Sequence, residues 1–158
     1  MAAKTLGIIT LLLTAYYFSY NRQKSEAIHY GLLLELCSLF SYIQKNIDCF
    51  TKPLNEICCE YTSPLLQQYG FFTAWKQQDL TYAVNILPHM TTPVKEILLS
   101  YSHSAGQGYK EEELQLCRFT YEQLQEIVSG QKEEHAAKNK MYRTLPYLLA
   151  LSIVLLLY

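Results

Sequence analysis

Lys140-Met141-Tyr142-Arg143-Thr144-Leu145-Pro146-Tyr147-Leu148-Leu149-Ala150-Leu151-Ser152-Ile153-Val154-Leu155-Leu156-Leu157-Tyr158 is the stretch that decides how this chain is read. A basic collar, Lys138, Lys140 and Arg143, runs into an uncharged apolar tail. Leucine, isoleucine and valine, Leu148, Leu151, Ile153 and Leu156 among them, fall on every face of a helix there, unlike the one-sided stripe of a core helix. Tyr147 and Tyr158 stand where amphipathic rings favour the headgroup level. The pattern is that of a membrane anchor.

The opening residues answer it. Thr5 to Tyr20 carries no charge; Leu6, Ile8 and Leu12 lie in its apolar run, and Tyr16, Tyr17 and Tyr20 close it. Both stretches are shorter than the roughly 20 apolar residues of an ideal span. Lys4, Arg22 and Arg143 can snorkel, and a bilayer thins at modest cost. A cleaved signal peptide is the competing reading of the start, but Tyr16 and Tyr17 occupy the place of its small-residue cleavage site. The organisation expected is an N-terminal anchor over 1–21, a helical domain over 22–140 and a C-terminal anchor over 141–158. Two anchors make a multi-pass membrane protein the expectation, and the basic residues before the second are expected to hold the central domain in the cytoplasm.

The five cysteines are odd in number, include an adjacent pair and show no C-x-x-C, which fits neither a disulfide framework nor a zinc site. Cys37 and Cys117 fall on apolar helix stripes and read as buried free thiols. With 13 basic and 14 acidic residues, nucleic acid is not an expected partner.

Six glycines and five prolines in 158 residues, with no strand alternation, make the middle helical. Ile28, Leu32, Leu36, Leu39 and Ile43 recur every three or four positions on a helix continuous with the first anchor. Leu114, Cys117, Tyr121, Leu124 and Val128 form a heptad-like seam on a late helix. Thr51-Lys52-Pro53-Leu54 reads as a helix start, one helix is expected over 71–87, and Ser104-Ala105-Gly106-Gln107-Gly108 is the clearest loop. The fold class is therefore all-α: an antiparallel helical bundle with N- and C-terminal transmembrane helices.

Enzymatic chemistry finds little to stand on. The four histidines are scattered without metal-ligand spacing. Gly106-Gln107-Gly108 lacks the preceding strand and third glycine of a nucleotide site. Glu111-Glu112-Glu113 reads as favourable charge at a helix N-terminus. No cofactor, metal or catalytic residue is expected. Fourteen tyrosines suit core and belt filling, or a docking surface.

Four ordered segments carry a resemblance: Lys4-Thr5-Leu6-Gly7, Thr51-Lys52-Pro53-Leu54, Gly106-Gln107-Gly108-Tyr109 and Asn139-Lys140-Met141-Tyr142-Arg143-Thr144-Leu145. Together, across nearly the whole chain, they resemble the stage III sporulation protein AB family. The chain departs from that family's pattern at Pro146 and in the short segment between Gly70 and Pro88. The resemblance implies a helical domain similar to that of the type II secretion protein F family. It also implies a platform subunit of a secretion-like channel between mother cell and forespore. The implied partners are membrane lipid, a cytoplasmic secretion-type ATPase (stage III sporulation protein AA) and other proteins of the same operon; self-association is left open. Thr51, Lys52, Pro53 and Leu54, with Gly106, Gly108 and Tyr109, are the loops expected to meet a partner. The alternative is a small membrane-anchored helical regulator acting through protein–protein contacts, for which the central domain would be dispensable. A soluble helical enzyme would instead require a pocket with buried polar groups.

Overall fold

A computed structural model describes the backbone of residues 2–50, 54–77 and 79–157. The described chain is all-helical, and no strand occurs among the described residues. In order, the helices are α1 (Ala2–Phe50), α2 (Leu54–Glu60), α3 (Pro64–Gln68), α4 (Phe71–Gln77), α5 (Leu80–Ile86), α6 (Thr92–Ser104) and α7 (Lys110–Leu157). Nothing between Tyr20 and Ser25 breaks α1, because neither proline nor glycine occurs there. α7 continues through Gly130 and Pro146. A single proline removes one ladder bond, and neighbouring turns can keep the helix going.

The helix expected over 71–87 is two helices. Asp79 adopts extended backbone, and its carboxylate accepts from the Tyr82 amide at 2.6 Å, starting α5 afresh. A short acidic side chain that bonds nearby amides favours a cap over a helix interior. Ser63 does the same for α3, accepting from the Leu66 amide at 3.3 Å, with Pro64 in the first turn. The cap expected at Thr51 or Lys52 lies outside the described residues.

The chain divides into two compact units. The central unit, residues 29–130, is an antiparallel bundle. Lys110 Nζ donates to the Asp48 carbonyl at 3.0 Å and the Cys117 thiol to the Phe40 carbonyl at 3.4 Å, so α7 advances as α1 retreats. Leu32, Leu33, Leu36, Leu39, Phe40 and Ile43 bury a continuous stripe of α1. Ile57, Leu66, Val84, Leu98, Tyr101 and Leu124 complete the core from the later helices. α4 packs on α5 and α5 on α6, with Thr81 Oγ1 and Ser102 Oγ joined at 3.1 Å. Gly31 of α1 is where α3 comes close: a Cβ there would stand 2.9 Å from Leu65 Cδ1.

The other unit joins residues 1–28 and 131–158. Tyr16, Tyr17, Phe18, Leu148, Leu151 and Leu155 are all exposed there. Thr10, Thr14, Thr144 and Ser152 each donate their hydroxyl to a carbonyl one turn back in their own helix. Tyr16 and Tyr20 stack at 6.4 Å, and the Arg22 guanidinium lies 5.5 Å over the Phe18 ring. Among the described residues, no helix is long and apolar enough to cross a membrane. Threonine, glycine and tyrosine dilute the first apolar run, and Arg143 and Pro146 bound the second.

Candidate docking cleft

The central unit carries an open cleft of about 960 Å³. α2 supplies Leu54 and Cys58; α4 supplies Phe72, Trp75 and Lys76; Ser102, Ala105 and Gly106 close it from α6 and the turn that follows. Tyr61, Phe72 and Trp75 line its wall, and ring contacts tie them to Tyr42 and Phe71 behind. Tyr42 meets Tyr61 at 5.0 Å and Tyr61 meets Phe72 at 6.1 Å. Phe71 then packs edge-on against both Phe72 and Trp75, at 5.5 and 5.6 Å. The 3.6-residue period puts Phe71 and Trp75 on one face of α4, where they anchor it and leave Thr73 and Lys76 exposed at the rim. Burial, then the Glu35 carboxylate, pushes the Tyr61 hydroxyl up, and a hydrogen bond from Ser38 draws it part of the way back.

The turn between α6 and α7 is locked by the glutamates that open α7. Glu112 accepts from the Tyr109 amide at 3.1 Å, the returning half of a capping box. Glu113 reaches further, accepting from the Gly106 amide at 2.8 Å and from the Tyr101 hydroxyl at 3.2 Å. Gly106 sits at φ +77°, where a side chain is strained. The run Glu111 to Glu113 therefore does more than complement the helix dipole. The sequence reading missed this role, and the E-x-x spacing from Tyr109 was the signal that carried it.

Of the residues assigned to partner loops, Leu54 and Gly106 line the same cleft although 52 positions apart. Gly108 and Tyr109 are exposed beside it in sequence, Tyr109 at 81 %. Thr51, Lys52 and Pro53 lie outside the described residues. Of the seam residues, Leu32, Leu36, Leu39, Ile43, Cys117 and Leu124 are buried, whereas Ile28, Leu114, Tyr121 and Val128 are half-buried. Among the anchor residues Tyr16, Leu148, Leu151 and Ile153 are exposed. Leu6, Ile8, Leu12 and Leu156 lie outside the described side chains.

Burial holds two of the described thiols, Cys37 and Cys117, in the protonated form. Cys117 is fully buried, and desolvation, then the Glu113 charge, pushes it up to about 12. Burial raises half-buried Cys37 to about 11. His29 is buried with both ring nitrogens unpartnered. Among the described residues, no cluster of three histidine, cysteine or acidic side chains is placed to hold a metal ion.

Fold and cleft define a class: an all-helical protein whose central bundle presents an aromatic-walled groove. The family model for stage III sporulation protein AB matches residues 4–158, and the chain belongs to that family. It is a family of sporulation components and not a known enzyme family, which gives this protein a sporulation-related role. No curated protein and no solved structure matches the chain.

Proposed function

We propose that this protein is a non-enzymatic platform subunit of a sporulation-specific, secretion-like channel between mother cell and forespore. Its two ends hold it at a bilayer, and its central unit, in the mother-cell cytoplasm, docks a secretion-type ATPase, stage III sporulation protein AA. The observation that carries the reading is the cleft: an open groove of about 960 Å³ with aromatic side chains in its wall, lined by both Leu54 and Gly106. Aromatic side chains with low rotamer cost are what protein contact sites favour.

Attachment to a bilayer is supported by the ends of the chain. Exposed apolar side chains occur on both helices of the end unit, among them Leu13, Tyr17, Leu148 and Leu155. The described hydroxyls of Thr10, Thr14, Thr144 and Ser152 are satisfied within their own helices, as an apolar solvent requires. Short apolar ends with snorkelling basic residues suit attachment without a full-length span.

The test is capture of the ATPase by the full-length protein from detergent-solubilised membranes. Thr73→Arg and Lys76→Glu alter the exposed rim without touching the core. Each is expected to abolish capture while leaving thermal unfolding unchanged. Undiminished capture by both variants would remove the cleft from the mechanism.

A further inference from the structure

The near-neutral chain conceals a division of charge. The end unit, residues 1–28 and 131–158, holds seven basic and three acidic residues; the central unit holds six basic and eleven acidic. The unit with the exposed apolar ends is thus the cationic one, and the unit with the cleft is anionic. The cations lie next to the apolar stretches in sequence: Arg22 and Lys24 follow the first, and Lys140 and Arg143 precede the second. Arg22, Lys24, Lys132 and Lys140 are exposed, and no ion pair engages any of them among the described residues. Arg22 is folded back over the Phe18 ring, one turn toward the apolar segment.

We propose that the end unit recognises anionic phospholipid, with these exposed cations on the headgroup phosphates and the apolar helix ends in the acyl region. This rests on the bilayer attachment proposed above and adds a lipid specificity to it. A short apolar segment alone gives marginal attachment, and stable anchoring takes a second signal, which a basic patch supplies. Each basic residue near an anionic surface adds about 1 kcal/mol, screened within a Debye length. The anionic central unit is repelled by the same surface, which favours a single mode of attachment.

The experiment is flotation of the full-length protein with vesicles of phosphatidylcholine alone and with vesicles containing phosphatidylglycerol. The expected result is stronger partition to the anionic vesicles, weakened by raising salt. Replacing Arg22 and Lys140 with glutamine should lower partition to anionic vesicles by roughly thirtyfold. Circular dichroism confirms that the helices survive the substitution. Equal partition to both vesicle types would overturn the lipid specificity and leave bilayer attachment standing. A preference unchanged in the double variant would overturn the assignment of these cations. No partition to either vesicle would remove bilayer attachment and, with it, this inference.

Discussion

The Tyr101 hydroxyl donates to Glu113 Oε1 at 3.2 Å, while Glu113 Oε2 accepts from the Gly106 amide at 2.8 Å. One carboxylate thus ties the core of α6 to the turn that leaves it. Tyr101 is buried at 1 % exposure, and its ring meets Phe40 edge-on at 4.8 Å. The turn that borders the cleft is consequently anchored to the middle of the bundle. Burial, with Cys117 and Glu113 nearby, holds the Tyr101 hydroxyl well above the ordinary tyrosine range, so it remains a donor.

Glu113→Ala should lower stability by about 1–3 kcal/mol, because it strands the buried Tyr101 hydroxyl and the Gly106 amide of the turn. Glu113→Gln keeps an acceptor and should lose less. Urea unfolding of the three proteins gives the comparison, and equal midpoints would show that the clamp is incidental.

Leu124 is fully buried in α7. Leu124→Asp places a charge in the core and should prevent cooperative folding, at a cost of several kcal/mol. Loss of the thermal transition is the expected readout. An unchanged melting curve would contradict the packing of α7.

Stability should fall at alkaline pH. The Cys117 thiol has an ordinary value of 9.0 and is pushed up to about 12 in the folded chain, chiefly by burial. Above pH 9 the unfolded chain gives up that proton while the folded chain keeps it, so unfolding becomes progressively favoured. The contribution is whole below pH 9, erodes as pH rises, and is gone near 12. At pH 10.5 the loss from this thiol is about 2 kcal/mol. Urea unfolding at pH 8 and 10.5 should show it, and Cys117→Ala should reduce the dependence, with raised Cys37 and Tyr101 keeping the remainder.

Thiol labelling should order the cysteines by exposure. Exposed Cys49 should react first in the native protein, whereas buried Cys58 and Cys117 should react only on opening. Native-state labelling followed by peptide mass mapping tests the order. Fast modification of Cys117 would mean that the α1–α7 contact opens readily.

At Gly31 two effects nearly cancel. Alanine in a helix interior is favoured over glycine by about 1 kcal/mol. Its Cβ would stand 2.9 Å from Leu65 Cδ1, the mobile tip of a half-buried side chain, which can turn away for about the same cost. Gly31→Ala should therefore stay within about 0.5 kcal/mol of the parent by those opposing magnitudes. Gly31→Ile should cost about 1–3 kcal/mol through overpacking. A strongly destabilised alanine variant would mean that Leu65 has nowhere to go.

The helical class was legible because hydrophobic periodicity is local. Leu32, Leu36, Leu39 and Ile43 repeat at the helical period, and that alone predicts both the helix and its inward face. The same locality marked the Ser104–Gly108 loop and the apolar ends. It failed at Asp79, where capping and helix interior are both local options and the Tyr82 amide settles the matter. It could not show that Leu54 and Gly106 share a cleft, because that depends on how α2, α4 and α6 stack. Nor could it show that the charges of a near-neutral chain separate between two units, because the basic ends come together only when α1 and α7 run antiparallel. Sequence by itself determined which segments are helical and which faces are apolar, since both follow from neighbours one turn apart. The tertiary structure decided the cleft, the Glu113 clamp and the cationic unit, since each joins residues that only packing makes neighbours.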